Sequence, residues 1–213
     1  MGPWDIMSQH FIERGKPPQG ISSFTKIRLG WIKKQQVQFV KPGETSIAFL
    51  APLSKGEDLL VVKIPLYESG LSHYLIENRQ AIGFDRMLPD SGILILEVHP
   101  EYPDGTGVVT VKKPINSSSF DQATYKLAVS NRNVFVHKRN NVAIIPLWKE
   151  KENLGVLITT PDLSNVAVKA AQAIQKLIDQ NSENENVINE SIVAFKNKDF
   201  EKSYDIAIGK KGR

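Results

Sequence analysis

From residue 45 to residue 160 the chain is a succession of short β-branched runs: SIAFLAPL, DLLVVKIPL, SHYLIENR, SGILILEV, GVVTV, NVFVHK, VAIIPLW and LGVLITT. Gly, Pro, Asn or Asp clusters separate most of them, and no helical pattern of useful length comes between. Strands at this spacing, with turn signals between them, predict an all-β sandwich or barrel. Crossover βαβ units are not expected, because they need a helix between parallel strands.

The flanks have a different texture. Residues 1–42 are turn-rich and then helix-like. PPQGISSF (17–24) breaks the chain, and Ser22 or Ser23 is placed to cap a helix through FTKIRLGWI, where Phe24, Ile27 and Trp31 recur at helical spacing. Beyond Asp162 the period becomes helical again. Ala167, Ala170, Ala171, Ile174, Leu177 and Ile178 line one face, with Asp162 or Ser164 as the expected N-cap. A second helix carries Ile188, Ile192 and Phe195, and Asp199 can cap a third with Phe200, Tyr204, Ala207 and Ile208. The helical hairpin is similar to a tetratricopeptide unit, but one copy falls short of a repeat array.

Composition removes several classes of function. There is no cysteine, hence no disulfide, thiolate metal site or cysteine nucleophile. No stretch of 18 or more apolar residues is present, so no membrane span is expected, and the N-terminus carries no signal-peptide pattern. The net charge is +4, with a local basic cluster of Lys26, Arg28, Lys33, Lys34 and Lys41. No reading element or stacking platform accompanies it, so no nucleic-acid partner is expected and the cluster reads as a solvated face.

The four histidines, His10, His73, His99 and His137, show no i, i+4 pair and therefore no HExxH. Glu97 and His99 would share one strand face, without a third ligand. Glu101 and Asp104, beside PDGTG, could in principle hold calcium, although a glycine hairpin loop explains the same residues. Asn116 and Asn189 fit the N-glycosylation pattern, which matters only for an exported chain. No nucleophile elbow occurs, and no catalytic residue is assigned. The strand HYLIENR runs straight into Glu77, Asn78 and Arg79. A half-buried charge needs a partner, so Arg79 is expected to pair with Glu77 or Asp85. We read Glu77, Arg79 and Asp85 as an ion-pair network that fixes a loop, with a substrate-facing polar cluster as the alternative.

GPWDIMS (2–8), SSFTKIRLGWI (22–32) and HYLIENRQAIGFDRMLPDSGILI (73–95) occur in this order. They resemble segments of the immune-inhibitor-A-like secreted zinc metallopeptidases: a G-x-W-D-hydrophobic-M-S signature, an S-x-x-x-K-x-x-L-G-W helix, and a run of L-I-E-N-R-Q, G-F-D and L-P-x-S-G-(L/V)-L-I. The resemblance covers residues 2–98 well and the later strands loosely. It implies that Met7 is the methionine of a Met-turn, an apolar floor beneath zinc, with Trp4 and Asp5 shaping the turn. It also implies a zinc peptidase, with calcium an additional candidate, that acts on protein or peptide substrates outside the cell or at its surface. The HExxH helix that carries zinc ligands and general base in that family would lie before Met7 and is absent from this sequence, so the chain is expected to bind no metal and to be inactive alone.

These readings combine into a mainly β protein. Residues 1–42 are expected to be the end of a metzincin-like catalytic domain, 43–161 an antiparallel β-sandwich, and 162–213 a C-terminal α-helical appendage. Trp4 and Trp31 are expected to be partly exposed, for want of upstream packing partners. The alternatives are a β-sandwich accessory module that binds protein, glycan or calcium, and a pseudoenzyme partner of a peptidase.

Overall fold

The structure is a computed structural model and describes residues 1–8, 18–66, 71–115, 117, 119–180 and 185–210. Among the described residues nine strands form two sheets. The first has the order β1 (Val37–Phe39), β3 (Val61–Pro65), β4 (His73–Arg79), β5 (Gly92–Val98), β6 (Val109–Val111). The second runs β2 (Ser46–Leu50), β9 (Asn153–Thr159), β8 (Val142–Glu150), β7 (Phe135–His137). Every pairing is antiparallel except β1 with β3. The expected β-branched runs form these strands. Strand β1 was not among them, since three residues are too few to show a period.

Alternation along the strands builds the layers. Val62 and Ile64 of β3, Ile76 of β4 and Ile95 of β5 meet Leu50 of β2, Ile144 of β8 and Val156 of β9 in one buried cluster shared by the two sheets. The intervening side chains of the first sheet point the other way. Val61, Leu75, Leu94, Leu96 and Val98 pack there against Trp4 and Ile32 from the N-terminal region. A third cluster covers the outer side of the second sheet: Ile145, Leu147, Trp148 and Leu157 lie against Ala167, Ala170, Ala171, Ile174, Phe195 and Phe200. Helix accounts for 31% of the described residues and strand for 27%, so the β layers carry a comparable weight of helix, most of it after Thr160.

Four α-helices among the described residues accompany the sheets. Helix α1 spans Ser23–Arg28, shorter than the expected run to Ile32, because Gly30 turns the backbone to a φ of +72°. Ser22 caps it, as anticipated, accepting from Thr25 N at 3.5 Å. Helix α2 covers Pro161–Asp179. Its N-cap is Thr160, not Asp162 or Ser164: Pro161 takes the first helical position, where its missing N–H costs nothing. Helices α3 (Glu185–Lys196) and α4 (Phe200–Ala207) follow, the latter capped by Asp199, whose side chain accepts from Lys202 N at 3.1 Å.

Candidate functional site

Strand β4 sets the geometry. Tyr74 and Ile76 face the cluster between the sheets, and Leu75 faces outward. The same alternation sends Glu77 and Arg79 outward, and there both are fully buried. All three guanidinium nitrogens are engaged. Arg79 Nε and Nη2 donate to the Asp85 carboxylate at 2.9 and 3.0 Å, and Nη1 donates to Glu77 Oε1 and to the Trp4 carbonyl, each at 2.9 Å. Burial opposes the guanidinium charge, but Glu77 and Asp85 outweigh it, so Arg79 holds its proton more tightly than usual. Arg79 therefore pairs with both candidate carboxylates, and with Asp85 through the bidentate fork that suits Arg and not Lys.

The cluster grips the N-terminal region at several points. Glu77 Oε2 accepts from Ser23 N at 2.8 Å, at the start of α1. Asp5 Oδ2 accepts from Ser22 N at 3.0 Å, Ser22 Oγ at 2.5 Å and Thr25 Oγ1 at 3.0 Å, while its Oδ1 accepts from Met7 N at 2.9 Å. Trp4 Nε1 donates to the Phe120 carbonyl at 2.6 Å, and the Arg79 guanidinium lies 6.0 Å from the Trp4 ring centroid. Gly20 approaches so closely that a Cβ there would stand 2.1 Å from Asp85 Oδ1. Lys26 Nζ donates to the Leu53 carbonyl at 2.7 Å; burial lowers its pKa, with Asp85 and Glu77 pulling it back up.

The expectation that Trp4 is partly exposed is corrected: it is wholly buried, because the segment around Phe120 supplies the packing and the acceptor that no upstream residue was needed to provide. Trp31 does stand in solvent, 64% exposed. Met7, assigned by resemblance as an apolar floor, points outward and is 76% exposed. It is held on a closed turn, with Ser8 N donating to the Asp5 carbonyl at 2.9 Å and Gly2 N to Ser8 Oγ at 3.1 Å.

The described residues do not fit a zinc site. No group of three or more His, Asp or Glu among them is placed to hold a metal ion. His73 contacts the Leu71 carbonyl through Nδ1 at 2.8 Å, and burial lowers its pKa. His99 meets Ser72 Oγ at 2.8 Å and stacks on Tyr102 at 4.7 Å. His137 meets Tyr74 Oη at 2.7 Å. Glu97 and His99 share a side, 3.7 Å apart, but Lys112 Nζ holds Glu97 at 2.7 Å. Asp104, a calcium candidate, pairs with Arg28 at 3.3 Å, and Glu101 accepts from Ser72 Oγ at 2.7 Å. His10 and Asn116 lie outside the described residues, and Asn189 is exposed on α3.

Two features have no signal in the local sequence. Asp90, in the loop before β5, accepts from Lys126, Arg132 and Thr124 Oγ1, the last at 2.7 Å. The second is a groove of about 770 Å³ beside α1, on the outer side of the first sheet. Nothing in the local sequence joins position 90 to 124–132, or α1 to the far end of β4; only the fold does.

No helix among the described residues is long and apolar enough to cross a membrane. No known protein family, curated protein or solved structure matches the chain.

Proposed function

We propose that this chain is the supporting part of an immune-inhibitor-A-like zinc metalloendopeptidase, an exported enzyme acting on proteins or peptides. In this reading its own task is to brace the active-site floor. One observation carries it: the three separated segments that bear the resemblance converge in a single buried ionic clasp, through Trp4 and Asp5, Ser22 to Thr25, and Glu77 to Asp85. The clasp turns Trp4–Ser8 into a preset bend that presents Met7 outward. A rigid, well-supported element is what a catalytic constellation requires of its second layer. The two sheets with their shared cluster serve in this reading as an antiparallel β-sandwich behind that floor. The zinc ligands and the general base come from residues other than those described, so we derive no hydrolytic step from this chain.

A second reading is favoured by the groove beside α1: a β-sandwich module that binds a ligand without catalysis, as accessory domain or pseudoenzyme partner. The two are separated by isolating the native product from its source with an antibody against this chain. Its mass, its zinc content and its hydrolysis of casein with and without 1,10-phenanthroline are then measured. The peptidase reading expects a polypeptide that also contains HExxH, with one zinc and chelator-sensitive proteolysis. A native product of 23.8 kDa without zinc or proteolysis overturns it in favour of the binding module. Tight one-to-one zinc on the 213-residue chain alone would equally overturn the assignment of the ligands to other residues.

A further inference from the structure

Among the described residues, the outer side of the first sheet is not covered along its whole length. At the Arg79 end of β4 the N-terminal segment and α1 close over it. At the His73 end they do not, and the groove opens there. Its floor is apolar, built from Ile27, Ile32, Leu75 and Val98. At about 770 Å³ it falls within the range of small-molecule sites, which pair an apolar lining with a few placed polar groups.

Its charge is one-sided. Arg28, Lys33, Lys34 and Lys63 border it, against a single lining carboxylate, Asp104. Among the described residues Asp104 is engaged by Arg28, in an exposed pair of the kind that contributes little and exchanges readily. Lys63 is distinct from the rim. It sits on β3, half-buried, and no described carboxylate pairs with it. Burial lowers its pKa, as expected of an ammonium that has lost part of its water. A partly desolvated cation above an apolar floor favours a ligand that brings both an apolar body and an anion.

We propose that this groove binds an amphipathic carboxylate, with its hydrocarbon chain on the Ile27–Leu75–Val98 floor and its carboxylate against Lys63. This site is independent of the peptidase reading, since it lies beyond the clasp and requires no metal.

The test is isothermal titration calorimetry on the full chain with three probes of equal chain length: dodecanoate, dodecan-1-ol and dodecyltrimethylammonium. Dodecanoate should bind one-to-one, at least about tenfold tighter than the alcohol, and the cation weakest of the three. Lys63→Met keeps the length of the side chain and removes its charge. It should weaken dodecanoate about tenfold and leave the alcohol within about twofold. Val108→Trp, at the partly exposed margin of the groove, should weaken dodecanoate and alcohol together, with an unchanged circular dichroism spectrum showing that the variant folds. Equal affinity for the carboxylate and the alcohol, indifference to Lys63→Met, or no binding would overturn the proposal. So would a short apolar peptide ending in aspartate that displaces dodecanoate at lower concentration, since the site would then belong to peptides.

Discussion

Replacing Arg79 by methionine is the sharpest probe of the clasp. The substitution preserves much of the side-chain volume and removes four hydrogen bonds: two to Asp85, one to Glu77 and one to the Trp4 carbonyl. At about 1.5–3 kcal/mol for each bond to a charged group, a simple sum reaches ~6–12 kcal/mol. That is an upper bound, because the folded variant no longer carries the desolvation cost of the guanidinium. What remains is the cost of leaving Glu77 and Asp85 buried without a cation, for which broken buried pairs indicate about 3–5 kcal/mol. We expect about 4 kcal/mol, a large part of the ~5–15 kcal/mol by which domains are stable. Urea unfolding at neutral pH reads it, with Trp fluorescence as a probe of Trp4 and far-ultraviolet circular dichroism as a probe of the sheets. The control is the neutral triple variant Glu77→Gln, Arg79→Met, Asp85→Asn, which should recover at least ~2 kcal/mol over the single change, since it leaves no uncompensated charge. A single-variant loss below ~1 kcal/mol, or a triple variant no more stable than the single one, would refute the account of the clasp as a set of mutually dependent buried charges.

Gly20→Ala should cost at least ~2 kcal/mol by urea titration, because its Cβ meets an Asp85 oxygen that Arg79 holds in place and one of them must shift. Asp5→Asn should loosen the N-terminal segment by about 1–3 kcal/mol, seen as faster limited proteolysis between Asp5 and Ser22 at unchanged sheet content. Burial pushes the Asp90 carboxyl up, but its hydrogen bonds from Lys126, Arg132, Thr124 and Ser91 N outweigh this and hold it below the usual carboxylate value. Its folded value thus lies below its unfolded one, so its stabilisation is complete above about pH 4 and fades as pH falls through the folded value. Asp90→Asn should therefore cost ~1–2 kcal/mol at pH 7 and progressively less on acidification, measured by paired urea titrations. Met7→Gln should leave stability within about 0.5 kcal/mol, since the side chain stands in solvent; a larger loss would mean that Met7 packs against the chain.

Much of the β framework could be seen in advance, because β-branched runs punctuated by Gly, Pro and Asn carry their own period. Lone charges at the end of an apolar strand also announced themselves: Glu77 and Arg79 had to be paired, and they are. The rest depends on contacts between distant positions. In the sequence Asp5 reads as a turn former, whereas it is also the acceptor that ties residues 22 and 25 to the N-terminus. Trp4 looked stranded because its acceptor lies 116 positions away, at Phe120. Gly20 looked like ordinary punctuation, and only the arrival of Asp85 shows why a side chain is excluded there. Lys63 belonged to an unremarkable strand until β4 and α1 left it beside an apolar floor.

The alanine-lined face of α2 has a practical consequence for anyone dissecting the protein. Ala167, Ala170 and Ala171 let the helix lie close on Ile145, Leu147 and Leu157, and Trp148 meets Phe195 edge-on at 5.2 Å. A version ended at Thr160 would uncover that greasy stripe on the second sheet, an invitation for two such molecules to stick together. The three C-terminal helices thus keep that stripe out of solvent.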